Sequence, residues 1–149
     1  MGYHMSSGHL RLLKRKTTPQ PSEVRVMEGK GKKMLFVQTS GIDAPERLYA
    51  PFILASTATA MEVDATIYFV MKGVTAVKRG EAEKIRLGSF PSLSEVIAQA
   101  VKAGVRLMVC EQSCTLLGLE RGNFVESAKV VGAATLNDLA LESDAVLCF

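Results

Sequence analysis

Between residues 34 and 149 this chain contains no histidine; its two, His4 and His9, both fall near the amino terminus. Without an imidazole base in the body of the chain, hydrolases of the Cys-His or Ser-His-Asp type are not expected. Cysteine is also sparse. Cys110, Cys114 and Cys148 are too few and too unevenly spread to form the framework of a disulfide-stapled secreted domain. Lacking a Cys-x-x-Cys pair and a nearby histidine, they do not complete the usual four-ligand zinc set, so no metal is expected. Phosphate-binding spacing is missing as well. The run Gly29-Lys-Gly-Lys-Lys33 does not match a Walker loop, and no Gly-x-Gly-x-x-Gly follows the first apolar segment. The longest uncharged stretch, Leu48 to Met61, has fourteen residues, short of the roughly eighteen that cross a bilayer. Arg11 interrupts Leu10, Leu12 and Leu13, so no secretory h-region forms. A soluble, cytoplasmic protein without a membrane partner is the expectation.

What remains is ordinary globular material, 48% hydrophobic and 22% charged in 149 residues, enough for one domain with a sizeable core. Charge is unevenly distributed. Residues 1–33 carry eight Lys/Arg and two Glu, whereas residues 34–149 carry ten basic and thirteen acidic side chains. The first segment mixes Gly, Pro, Ser and Lys without an apolar period, and reads as a flexible basic N-terminal tail. With Tyr3 its only aromatic, it resembles the solvated basic tails common in proteins, and nucleic acid is not an expected partner.

From Met34 onward, apolar strand-like runs alternate with helical patterns, the signature of an α/β domain with a largely parallel sheet. The expected strands are Met34–Thr39, Ala65–Met71, Arg106–Cys110, Lys129–Gly132 and Ala145–Phe149. Helices are expected at Asp43–Met61, with a kink or restart at Pro51, at Ser92–Ala103, and from near Thr115 and Thr135. Ser92 with Glu95, and Thr135 with Asp138, have capping-box spacing. Gly104 supplies a helix stop. Lys72–Ser89 is long for a connector and leaves the carboxyl edge of a strand, where such sheets bind ligands. It reads either as a basic rim in which Lys78 and Arg79 hold a small anion such as thiosulfate, or as a solvated loop with a short helix near Val77–Ile85.

Cys110 falls where an apolar strand runs into a helix. A thiol there faces unpaired helix N–H groups, which favour thiolate, the reactive form. The same residue also reads as a small buried hydrophobe. Cys114 is open to a role as a second thiol or as core, and Cys148 reads as core packing.

Several segments taken in order resemble the DsrE/DsrF-like family of sulfur-trafficking proteins: Pro51-Phe-Ile-Leu-Ala-Ser-Thr57, the Gly73-Val turn, Pro91-Ser-Leu93, Cys110-Glu-Gln-Ser113 and Val131-Gly-Ala-Ala-Thr135. The resemblance spans residues 34–149. It implies a flavodoxin-like three-layer sandwich with a five-stranded, mainly parallel sheet, assembled as a homo-oligomer, trimer or hexamer. It also implies that Cys110 accepts sulfane sulfur, holds it as a persulfide or thiosulfonate, and passes it to a partner thiol. The partners implied are small sulfur-containing anions and donor or acceptor thiol proteins, with no metal or organic cofactor. Cys114 departs from the single-cysteine pattern and stands as an auxiliary thiol. Two rival readings are a non-catalytic oligomeric interaction module and a flavin binder using the turn at Thr39–Ile42, which lacks the richer Thr/Gly phosphate loop expected there.

Overall fold

Strand formation follows the β-branched and aromatic runs. In the computed structural model, which describes residues 29–149, these runs form β1 (Lys33–Gln38), β2 (Asp64–Phe69), β3 (Arg106–Cys110), β4 (Ala128–Val131) and β5 (Ala145–Cys148). All four pairings are parallel, in the order β4-β3-β2-β1-β5. Of the segment read as a tail, residues 1–28 lie outside the described residues. Its last residues join the fold: the Gly29 N–H donates to the Met61 carbonyl at 3.0 Å, and Lys33 opens β1.

Among the described residues, four α-helices complete the sandwich: α1 (Tyr49–Ala60), α2 (Leu93–Lys102), α3 (Glu111–Leu116) and α4 (Ala133–Glu142). The chain steps outward from β1 to β4 one neighbour at a time and then returns across the sheet to β5. Because parallel crossovers are right-handed, the outward steps put their helices on one face and the return puts α4 on the other. The packing follows this division. Phe36, Ile67, Phe69, Leu107 and Val109 face Phe52 of α1, Ile97 of α2 and Cys114 of α3, while Leu35, Val37, Tyr68 and Cys110 face Leu136 and Leu139 of α4. The strand order, not the strand direction, reverses between β1 and β5, whereas in a flavodoxin it reverses between the first and third strands.

The helices differ from expectation at their starts. Asp43–Met61 divides into a 3-10 turn, Pro45–Arg47, and α1 beginning at Tyr49. Pro51 then falls in the first turn of α1, where its missing N–H costs nothing. The helix expected near Thr115 starts at Glu111. That expected near Thr135 starts at Ala133 with Gly132 as its cap, and the Thr135 N–H donates to the Gly132 carbonyl at 3.2 Å, so Thr135 is no cap. The Ser92 box forms as expected: the Glu95 N–H reaches Ser92 Oγ at 3.3 Å, and the Ser92 N–H reaches Glu95 Oε2 at 2.7 Å.

The connector after β2 is folded into 3-10 turns at Met71–Val77 and Ala82–Lys84. It lies against the end of β1 so closely that a Cβ at Gly73 would meet the Gln38 carbonyl oxygen at 2.0 Å. Only glycine allows that approach.

Candidate functional site

Parallel strands bring their carboxyl ends to one edge, so the segments following β1 to β4 converge there. Cys110 is the last residue of β3 and the N-cap of α3. It is only 6% exposed, on the α4 face beside Leu35, Val37 and Tyr68.

Three polar groups surround this thiol. The Cys110 S–H donates to Gln112 Oε1 at 3.6 Å, and the same oxygen accepts the Ala133 N–H at 3.1 Å. Ser113, 4% exposed, accepts the Met71 N–H on its Oγ at 2.8 Å. That bond holds Met71 in an uncommon left-handed conformation, φ 51°, where the chain leaves β2. The hydroxyl of fully buried Tyr68 donates to the Gly132 carbonyl at 2.8 Å.

These groups set the acidity of Cys110. Burial pushes the thiol up, but the Ser113 hydroxyl, the backbone N–H groups of Ser113 and Gln112, and the Tyr68 hydroxyl together bring it below its ordinary value of 9.0. Cys114 moves the other way, raised first by burial and then by the neighbouring Cys110 charge. Tyr68 is also raised, by burial first and then by Cys110, so it remains a protonated donor at neutral pH.

All three cysteines are free. Cys110 still belongs to the strand and faces α4, while Cys114 points into the opposite layer and packs in the main core. Cys148 corrects the expectation of core packing. It is exposed, because β5 is an edge strand and α4 leaves its outer residues uncovered.

Lys78 and Arg79 lie beyond the Met71–Val77 turn, tied to the segment that precedes β4. Lys78 forms a bridge with Phe124, and Arg79 Nε donates to the Phe124 carbonyl at 2.6 Å. The structure therefore joins Cys110 to Tyr68, Gln112, Ser113 and the Gly132–Ala133 turn, and joins Lys78 and Arg79 to a different segment. Sequence reasoning missed Tyr68 as a site residue. Its signal was a hydroxyl inside the apolar strand Asp64–Phe69, which needs a partner once buried. Among the described residues no cluster of His, Cys, Asp or Glu could hold a metal ion, and no helix is long and apolar enough to cross a membrane.

Residues 32–149 match the DsrE/DsrF-like family. The chain belongs to that family. Among the relatives of this DsrE/DsrF-like chain is an uncharacterized protein of Methanocaldococcus jannaschii, 29% identical over 103 residues, covering 69% of this chain and 38% of the relative. This chain thus spans well under half the length of that relative. The sulfur carrier protein DsrE2 of Allochromatium vinosum is 22% identical over 156 residues, covering 78% of this chain and 97% of that protein. The crystal structure of the ychN protein from E. coli superposes with a TM-score of 0.67 at 19% identity, covering 79% of this chain and 99% of that one, and shows the same fold.

Proposed function

We propose that this DsrE/DsrF-like protein is a sulfur carrier or sulfurtransferase that loads sulfane sulfur on Cys110. The observation that carries the reading is a thiol at a strand's carboxyl end, nearly buried yet lowered in pKa by neighbouring hydrogen-bond donors. Burial alone makes an inert core cysteine; a lowered pKa supplies the nucleophile. The name of the Allochromatium vinosum relative supports the same chemistry.

In the loading step, the Cys110 thiolate attacks the outer sulfur of a hydropersulfide donor, R–S–SH. A bond forms between Sγ and that sulfur, the donor S–S bond breaks, and R–S⁻ leaves with the bonding pair. Cys110–S–SH results, with the proton still on the outer sulfur. An acceptor thiolate reverses the exchange and returns Cys110 as thiolate. Each step exchanges thiolate for thiolate, so no external oxidant is required. The exposed apolar residues Leu141, Val146 and Leu147 around the thin α4 layer suit contact with further copies in a trimer or hexamer.

The flavin reading is disfavoured by the turn it would use. The N–H groups of Thr39 and Ser40 go to the Phe149 carbonyl at 2.7 and 3.3 Å, and that of Ile42 goes to Thr75 Oγ1 at 3.0 Å. Those donors are already engaged.

Intact-protein mass spectrometry after exposure to inorganic polysulfide tests the carrier reading. The wild-type chain is to gain reductant-labile sulfur, retained in Cys114→Ser and Cys148→Ser and lost in Cys110→Ser. Retention of the adduct in Cys110→Ser overturns the assignment.

A further inference from the structure

We infer that Tyr68 is a switching hydrogen-bond donor, its single O–H passing from the Gly132 carbonyl to the Cys110 sulfur when that sulfur loses its proton. The inference deepens the sulfur-carrier reading but rests on thiol ionisation, which occurs whether or not sulfur is ever loaded.

The bonding pattern belongs to a protonated thiol. The S–H proton points to Gln112 Oε1, and Tyr68 spends its own proton on the Gly132 carbonyl. A neutral thiol sulfur is a weak acceptor and offers Tyr68 little competition. Ionisation reverses the balance. Cys110 releases its proton to water, Gln112 Oε1 loses a donor and now faces an anion, and Sγ becomes a charged acceptor. Hydrogen bonds to charged acceptors are roughly twice as strong as neutral ones. Tyr68 and Cys110 share one face of adjacent strands and one apolar cluster, and the Tyr68 hydroxyl is among the donors within reach of the Cys110 sulfur.

The Gly132 carbonyl can release Tyr68 without being stranded, because it also accepts the Thr135 N–H at 3.2 Å. Gln112 likewise keeps its bond from the Ala133 N–H. Leaving a buried polar group unpaired is the usual cost of such a rearrangement, and here it is avoided. Tyr68 cannot act as a base in place of donating, since burial and the thiolate both oppose its ionisation. The same donor would face the inner sulfur of a persulfide.

Tyr68→Phe keeps the ring and removes only the hydroxyl. In wild type, the rate of Cys110 alkylation by iodoacetamide, followed by peptide mass spectrometry, is to rise with a midpoint below 9.0. In Tyr68→Phe the midpoint is to move up by about one unit, cutting the rate at neutral pH about tenfold. An unchanged midpoint in a folded Tyr68→Phe chain overturns the inference. A second measurement needs no change at Tyr68. With ¹³C at the tyrosine Cζ, the Tyr68 resonance, assigned among the three tyrosines, is to shift across the Cys110 titration and stay still in Cys110→Ser. A resonance that ignores the titration in wild type overturns it as well. A chain that shows these titrations yet takes up no sulfur from polysulfide rejects the carrier reading and leaves the Tyr68 switch standing.

Discussion

At Cys110 two opposing forces meet, a desolvation that favours thiol and a ring of donors that favours thiolate, and the donors prevail. Ser113 is the pivotal member, because its hydroxyl serves both Cys110 and the Met71 N–H. Ser113→Ala is expected to raise the Cys110 midpoint and, by leaving the part-buried Met71 N–H without its partner, to cost about 1 kcal/mol of stability; iodoacetamide pH profiles and urea unfolding read the two effects separately. Cys110 and Cys114 should also part company on titration. Cys110 is to be alkylated with a midpoint below 9.0, and Cys114 only above it or on unfolding. The sign for stability follows. A thiol whose folded pKa is lowered contributes stability that is complete above its unfolded value of about 9 and is lost as pH falls through the folded value, while Cys114 contributes the reverse. The place of Cys110 at a strand end was legible because the run Arg106–Cys110 is apolar and ends in polar residues. The exposure of Cys148 was not, since Ala145–Cys148 is equally apolar and nothing in four residues tells an edge strand from a central one.

Helix starts were legible only where a side chain makes the cap. Ser92 and Glu95 mark α2 in the sequence because both side chains take part in the reciprocal bonds. Ser92→Ala is accordingly expected to cost about 1 kcal/mol in thermal or urea unfolding. α3 and α4 begin at Cys110 and Gly132 with no side-chain cap, so both starts were displaced toward Thr115 and Thr135, whose residue types look like caps. The connector after β2 carries a different kind of constraint. Gly73 sits against the backbone of Gln38, and Gly73→Ala is expected to destabilise the fold by roughly 1–3 kcal/mol through overpacking. Because Met71 is two residues away and bonded to Ser113, the same substitution is to alter the Cys110 pH profile, whereas Lys78→Ala and Arg79→Ala, in the segment tied to Phe124, are to leave it unchanged.

Across the whole molecule the two faces of the sheet are unequally covered. α1 and α2 bury several residues each, while α4 buries none. Amide hydrogen exchange is therefore expected to be fastest, among the three longer helices, in α4, and to slow there if copies associate through that layer. Alternation of strand and helix announced the parallel sheet, but the order of strands was hidden, because apolar strands look alike whether their neighbour is near or far in sequence. The return from β4 to β5 places Met34 beside Ala145 and Phe36 beside Leu147, joining the first strand to the last. During synthesis, then, β1 must wait with one backbone edge open until β5 has left the ribosome. Its apolar Met34–Val37 segment is the one that unpaired strands of other nascent chains would meet first.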